Sequence, residues 1–485
     1  MNSLVKNIPQ NMRFGTKKII FLGVAATVAL RLFVFGLSSP LEFRVRGDAY
    51  TYLKIADSFT DVSSVLTFAG DRAVGLPGFE FMVKNIISIF TVSHNILTWI
   101  NWIGIALLIT HLVTAWFFSR WARSTNLLQT ENAGFVLFIL FATYPALIGY
   151  TTTPLTDTLA VDLIVCAIIS MQAALSVNIG NKAFLLAGLS ASFFGFSILV
   201  RPGSLLGVGV ALMAGIALSI LIARNKTFVI CATALGCILV LAPYSYNCTQ
   251  KYKSVCLQSP ATFDYVRSAQ TGLRGARTLW GMGELAPEQY APTLPDGTML
   301  ANYYQRCQLR TIIGIDDSSL TGCLITRPLA LPAYAVKKWI GLFDHFQFTP
   351  YLEETTPFWL RWLSRAYDSL AWVGLSLFFL TLFYATKPIY RSEIKRKLLT
   401  PVTPVLLVVY SVVMLTQHTA LHIENRYGFP VIPLCVMMLV IYGEKFIQNY
   451  RVFGYQRVLP LALYCITAWT VFVAQIIIWD NTTFY

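Results

Sequence analysis

About 11 continuous apolar runs, each of roughly 18 to 22 residues, leave this chain few folds to choose from. A helix of about 20 residues spans the roughly 30 Å hydrocarbon layer of a bilayer, and it satisfies its own backbone N–H and C=O groups where no water can. The runs fall at 19–38, 96–118, 133–152, 155–176, 183–200, 203–223, 226–244, 367–386, 401–417, 428–443 and 458–479. They are unbroken instead of alternating, which sets aside a membrane barrel. With 56% hydrophobic and 12% charged residues, the chain also lacks the polar surface a water-facing fold of its size would need. The expected class is an all-α integral membrane protein.

The formal net charge of +14 raises the question of a nucleic-acid partner. The placement of the cations argues against one, because many sit in short segments between apolar runs, where positive charge marks the cytoplasmic side. With the N-terminus inside, so are Lys6, Arg13, Lys17, Lys18, Arg120, Arg123, Lys182, Arg224, Lys226, Lys387, Arg391, Lys395, Arg396, Lys397, Lys445, Arg451 and Arg457. The opposing short loop at 151–157 carries no cation. No trustworthy cleavage site follows the first run, so it is expected to stay as a membrane helix.

This topology leaves two long segments outside, 39–95 and 245–366, and suggests three parts. Residues 1–244 form an N-terminal membrane module with a catalytic first outer loop, 245–366 an outer subdomain, and 367–485 the C-terminal membrane helices. Cys248, Cys256, Cys307 and Cys323 fall in the outer subdomain, whereas Cys166, Cys231, Cys237, Cys435 and Cys465 fall in apolar runs. Four exported cysteines allow up to two disulfides, with three possible pairings.

The first outer segment carries Arg46-Gly47-Asp48-Ala49-Tyr50-Thr51-Tyr52-Leu53-Lys54-Ile55-Ala56-Asp57. Wound as a helix, it brings Ala49, Tyr52, Leu53, Ala56 and Phe59 to one face, the pattern of a helix lying in the membrane interface. Asp48 then begins that helix, as an N-cap or as an acid held there for chemistry. Arg72-Ala73-Val74-Gly75-Leu76-Pro77-Gly78-Phe79 follows, then Pro154-Leu155-Thr156-Asp157, Leu199-Val200-Arg201-Pro202, and finally His422-Ile423-Glu424-Asn425-Arg426-Tyr427-Gly428-Phe429-Pro430. Every one of these falls on the outer side. Asp157 is either a second acid of one site or the cap of the run it opens, and Asp162, five residues on, lies on a different helical face.

In order and sidedness these motifs resemble the polytopic GT-C glycosyltransferases, especially the protein O-mannosyltransferases and the lipid A aminoarabinose transferases. The likeness covers the first 200 residues and 417–443. Two details depart from it: the acidic element is Gly47-Asp48 and not Asp-Glu, and Gly75-Leu76-Pro77-Gly78-Phe79 lacks a tyrosine. The resemblance implies a GT-C-like architecture with interfacial helices in the first outer loop, and transfer of a sugar from a polyprenyl-phosphate carrier to a glycan, lipid or protein acceptor. It points to a bacterial inner membrane with the site facing the periplasm. Asp48 would be the general base, with inversion at the anomeric carbon.

A departing phosphate calls for guanidinium, which offers two parallel hydrogen bonds. Arg201 and Arg426 are the candidates, their plain alternative being snorkelling to lipid headgroups. Lys84 and Tyr427 are further phosphate contacts, and Arg72, Tyr52, His422 and Glu424 complete the set. His418 and His422 are four residues apart, a spacing that puts both on one helical face. A divalent ion such as Mg or Mn is compatible with these groups without being demanded by them. Arg31, past the middle of the first run, is expected to face the bundle, beside an acid or the carrier phosphate.

Two other classes compete. A transporter or glycolipid flippase should put ionisable groups in mid-span and repeat its halves, yet Arg31, His111 and Asp162 are the main mid-span groups and no repeat is evident. An O-antigen polymerase or ligase shares the large outer loop, but the acid directly after the first run argues against it.

Overall fold

The computed structural model describes residues 16–37, 48–68, 70, 72–90, 96–253, 256, 335–336, 339–343, 357–386, 404–420, 425–453 and 455–483. Regular structure among them is helical throughout. Seven helices are long and apolar enough to cross a membrane. Their apolar parts lie in α5 (Ile96–Ser124), α8 (Thr156–Ser176), α9 (Gly180–Val200), α10 (Leu205–Ile222), α11 (Lys226–Tyr252), α12 (Phe358–Thr386) and α14 (Ile432–Phe453). An eighth crossing is formed if α6 (Glu131–Ala142) and α7 (Pro145–Thr152), bent by 45°, count as one. The other three predicted runs correspond to α1 (Thr16–Leu37), α13 (Val405–Ala420) and α15 (Tyr455–Thr483), whose described apolar stretches are only 10–17 residues long.

The bend has a local cause. Pro145 opens α7, and Tyr144 before it takes an extended backbone, φ −62° and ψ 112°, as a residue preceding proline prefers. At the other end of α6, Thr130 Oγ1 accepts from the Ala133 amide at 3.1 Å. The Glu444 carboxylate on α14 accepts from the Gln129 and Thr130 amides at 2.9 and 2.7 Å, so α14 supplies part of the cap for α6.

Helix α8 is the central post: 78% of its apolar window is buried, against 28% for α10 and for α11. It packs on α9, which packs in turn on α11. Gly236 of α11 sits on the Gly188 carbonyl of α9, and a Cβ there would lie 2.5 Å from that oxygen. Small residues at such crossings let membrane helices approach closely. Helix α12 packs on α14 and α15, and α14 reaches across to α6.

Three helices of the first outer segment complete the frame: α2 (Asp48–Ser58), α3 (Val62–Leu66) and α4 (Gly75–Ser88). The face predicted for α2 is the buried one, with Ala49, Tyr52, Leu53 and Ala56 all inside. It is covered by protein, because α2 lies along α4 and α4 along α5 and α9. Among the four cysteines of residues 245–366, Cys248 is bonded to Cys256. Cys307 and Cys323 lie outside the described residues, as does most of 245–366.

Candidate active site

One apolar cluster organises the site. Tyr52 and Leu53 of α2, Leu76 of α4, Leu159 and Ala160 of α8, and Val200 of α9 pack together with Ile100, Ile103 and Leu107 of α5. Four of the predicted polar groups stand within about one helical turn of a cluster member along the chain: Asp48 before Tyr52, Arg72 before Leu76, Asp157 before Leu159 and Arg201 directly after Val200. Gly75 tightens the assembly, since a Cβ at that position would lie 2.5 Å from both the Leu199 carbonyl carbon and the Val200 nitrogen. The proline element named from sequence thus presses the start of α4 onto the end of α9. Pro77 is tolerated there because the first turn of a helix needs no N–H donor from it.

Two acid–guanidinium pairs result. The Arg72 guanidinium donates to Asp48 at 2.8 Å, with side chains 42% and 30% exposed. Arg201 pairs with Asp157, whose side chain is almost wholly buried. The first pair is partly open to solvent, whereas the second is mostly enclosed at the junction of α8 and α9. Arg72, one of the lesser candidates from sequence, is therefore the direct partner of Asp48.

The C-terminal motif reaches the same end of the bundle. A 3-10 turn, Asn425–Val431, packs against α8 and the end of α13. Phe429 within it meets Tyr150 of α7 edge-on, ring centroids 4.9 Å apart. Gln417 near the end of α13 donates through Nε2 to the Gly203 carbonyl at 3.0 Å, two residues beyond Arg201. Arg426 and Tyr427 stand in this turn, but their side chains are outside the described residues, and His422 and Glu424 are outside altogether.

Lys84 lies elsewhere, with its Nζ 2.6 Å from Asp57 Oδ1 near the far end of α2. Arg31 faces the interior of the bundle, 5% exposed. It donates to the Thr151 carbonyl at 3.3 Å, on the last turn of α7, where the helix dipole favours a cation. The two remaining mid-span groups satisfy each other: His111 Nδ1 is 3.0 Å from Asp162 Oδ1, and its Nε2 donates to the Phe141 carbonyl at 3.1 Å. Sequence spacing separates Asp162 from Asp157 but does not reveal its partner on α5.

Sequence reasoning also passes over Glu80, on α4. This residue is 1% exposed, and neither carboxylate oxygen has a hydrogen-bond partner among the described residues. Burial, and then the neighbouring Asp57, push its pKa well above the ordinary carboxylate value. The available signal is an acid set between Phe79 and Phe81 in an amphipathic helix.

No group of three or more His, Cys, Asp and Glu residues with metal-binding spacing occurs among the described residues. Asp48 and Asp157 each engage a guanidinium instead. The described donor set therefore does not make a divalent-ion site.

The path of the chain has solved counterparts. Its fold is like that of solved archaeal oligosaccharyltransferases. An oligosaccharyltransferase AglB from Archaeoglobus fulgidus, in complex with an inhibitory peptide and a dolichol-phosphate, superposes with a TM-score of 0.53 at 12% identity, covering 95% of this chain and 55% of that one. The apo oligosaccharyltransferase of the same organism gives 0.51 at 10% identity, with 96% and 56% coverage. A form tethered to an acceptor peptide gives 0.51 at 12%, with 96% and 55% coverage. The chain thus spans a little over half the length of these neighbours. At this identity the likeness concerns the fold. No family model matches the sequence, and no curated protein matches it either.

Proposed function

We propose that this protein is a membrane glycosyltransferase that moves a sugar from a polyprenyl-phosphate-linked donor to an acceptor hydroxyl on the extracytoplasmic face, with inversion. One observation carries the reading. Four sequence elements far apart in the chain, ending at Asp48–Arg72, Asp157, Arg201 and the 425–431 turn, meet at one end of a GT-C-like bundle. The solved neighbours include a complex with dolichol-phosphate, a carrier of the same chemical kind.

In this reaction the acceptor oxygen attacks the anomeric carbon while the bond from that carbon to the phosphate oxygen breaks. The electron pair leaves with the phosphate, and Asp48 takes the hydroxyl proton. Arg72 holds Asp48 at the start of α2. Arg201 and Arg426 supply positive charge for the departing phosphate, with Tyr427 beside Arg426 in the chain. Asp157 positions Arg201 and keeps it paired in the absence of substrate. Lys84, already engaged by Asp57, is left out of this phosphate site.

The site end is extracytoplasmic by the distribution of Lys and Arg, and the Cys248–Cys256 bond suits an oxidising compartment. Counting α1, α13 and α15 as crossings gives the expected 11 or so spans. A bacterial inner membrane with the site facing the periplasm accommodates all of these features.

The test is transfer of radiolabelled sugar from polyprenyl-phosphate donors by membranes carrying wild type or Asp48→Asn at matched protein level. Transfer that falls by about a hundredfold or more in the variant fits removal of a general base. Equal transfer would leave Asp48 a helix cap, and no transfer by the wild type from any donor would favour a transporter.

A further inference from the structure

At the end of α2 remote from Asp48 is a recess of ≈ 230 Å³, walled by Leu53, Ala56, Asp57, Glu80, Lys84 and Trp99 together with Ile96 and Ile103. Its charged residues Asp57 and Lys84 have side chains 54% and 36% exposed, Ile96 is exposed as well, and Glu80 is buried. The Lys84 ammonium also sits 5.9 Å from the centroid of the Trp99 ring. Asp57 is nine residues along α2 from Asp48, about 13 Å at 1.5 Å per residue. The recess is therefore separate from the reacting end.

Its chemistry narrows the occupant. Two carboxyl groups against one ammonium disfavour a phosphate, and the ammonium disfavours a metal ion or an amine. A hydrocarbon tail would leave Glu80 without a partner, at a cost of about 1–3 kcal/mol for a neutral polar group. A protonated carboxyl offers one donor and spare acceptor capacity, Asp57 accepts, Lys84 donates, and Trp99 contributes a flat apolar face. A ring with hydroxyls around its rim and C–H groups on its face matches all four.

We propose that this recess binds a sugar ring other than the one transferred, so that the substrate glycan is longer than a single sugar, with Glu80 and Asp57 taking its hydroxyls. The inference rests on the glycosyltransferase reading for its biological sense, although the recess can be tested without transfer. The experiment is saturation-transfer NMR on the full-length protein in nanodiscs, with free neutral di- and trisaccharides built from glucose, mannose or N-acetylglucosamine as probes. Inorganic phosphate serves as competitor. Wild type and Asp48→Asn should both pass saturation to the ring protons of at least one saccharide. Glu80→Leu should weaken that binding by about tenfold or more, while Glu80→Gln, which keeps a donor and an acceptor, should retain most of it.

Absence of saturation transfer from every saccharide, equal binding by wild type and Glu80→Leu, or displacement by phosphate would each overturn the proposal. If the leucine variant does not fold, Asp57→Ala takes its place and must weaken binding. Saccharide binding that depends on Glu80 in a protein that transfers no sugar would sink the glycosyltransferase reading and leave the recess standing. Transfer without such binding would do the reverse.

Discussion

The Arg201 guanidinium is paired with the Asp157 carboxylate where α8 begins and α9 ends, and the two side chains are 12% and 2% exposed. Removing one partner of such a pair strands a charge in a poorly solvated place, at a cost of about 3–5 kcal/mol. Arg201→Met and Asp157→Leu should each lower the melting temperature of the detergent-purified protein sharply. The double variant should melt higher than either single one, as a double-mutant cycle on melting would register. Its transfer activity should stay lost, because Arg201 is assigned to the phosphate. Recovery of transfer along with stability would remove Arg201 from the site.

The Asp48–Arg72 pair is more exposed, and pairs of this kind contribute about 1 kcal/mol or less to stability. Arg72→Ala should therefore leave melting nearly unchanged while transfer falls by about tenfold or more, through loss of the orientation of Asp48. A normal rate in Arg72→Ala would return Arg72 to a purely structural place in the loop.

How much of this was legible in the sequence depends on whether a feature is written along the chain or between chain segments. The apolar face of α2 follows from the spacing of Ala49, Tyr52, Leu53 and Ala56, but not what covers it, which is α4 and not the membrane interface. The sidedness of the motifs is read from charge alone, and the elements carrying Asp48, Arg72, Asp157 and Arg201 meet around one cluster. Partner choice does not follow. Arg31 with the Thr151 carbonyl, His111 with Asp162, and Arg72 with Asp48 join residues 120, 51 and 24 positions apart. Nothing periodic encodes such pairs. The break between α6 and α7 falls inside 133–152, which reads as one continuous run although Pro145 lies within it. The role of Glu80 was not legible, since an acid on an amphipathic helix reads as solvated until its neighbours are known.

Gly75 offers a separate handle on the junction. A methyl group there would lie 2.5 Å from the backbone of Leu199 and Val200, which cannot swing aside as a side chain can. Gly75→Ala should push α4 away from α9 at a cost of about 1–3 kcal/mol, visible as a lower melting temperature. Transfer should fall with it, because Arg72 lies three residues upstream. A neutral substitution would show that the α4–α9 contact is looser than described.

Glu80 carries a pH dependence with a definite sign. Its folded-state pKa is raised above the ordinary 4.5, first by burial and then by Asp57 of α2. Lys84 of α4 is the other charge lining this recess, and α5 contributes only Ile96, Trp99 and Ile103. The folded protein thus keeps a proton that the unfolded chain releases above about 4.5. The stabilising contribution is full below that value and declines as pH rises toward and through the folded-state pKa. Melting temperatures measured across roughly pH 5 to 8 should fall more steeply for wild type than for Glu80→Gln. Parallel curves would mean that Glu80 is solvated.

The side of the membrane on which all this chemistry lies can be read from one disulfide. Cys248 and Cys256 belong to a cluster with Phe59, Val74, Phe81, Leu199 and Tyr244. Val74 is two residues from Arg72, and Leu199 two from Arg201, so the disulfide lies at the same end of the bundle as the site. Both sulfurs are buried, so in intact cells a membrane-impermeant maleimide should label Cys248 and Cys256 from outside only once the bond is reduced under conditions that loosen the surrounding cluster. Labelling that needs broken cells would place the disulfide, and Asp48 and Arg201 with it, on the cytoplasmic side. That would reverse the orientation read from the lysines and arginines and exclude an extracytoplasmic donor.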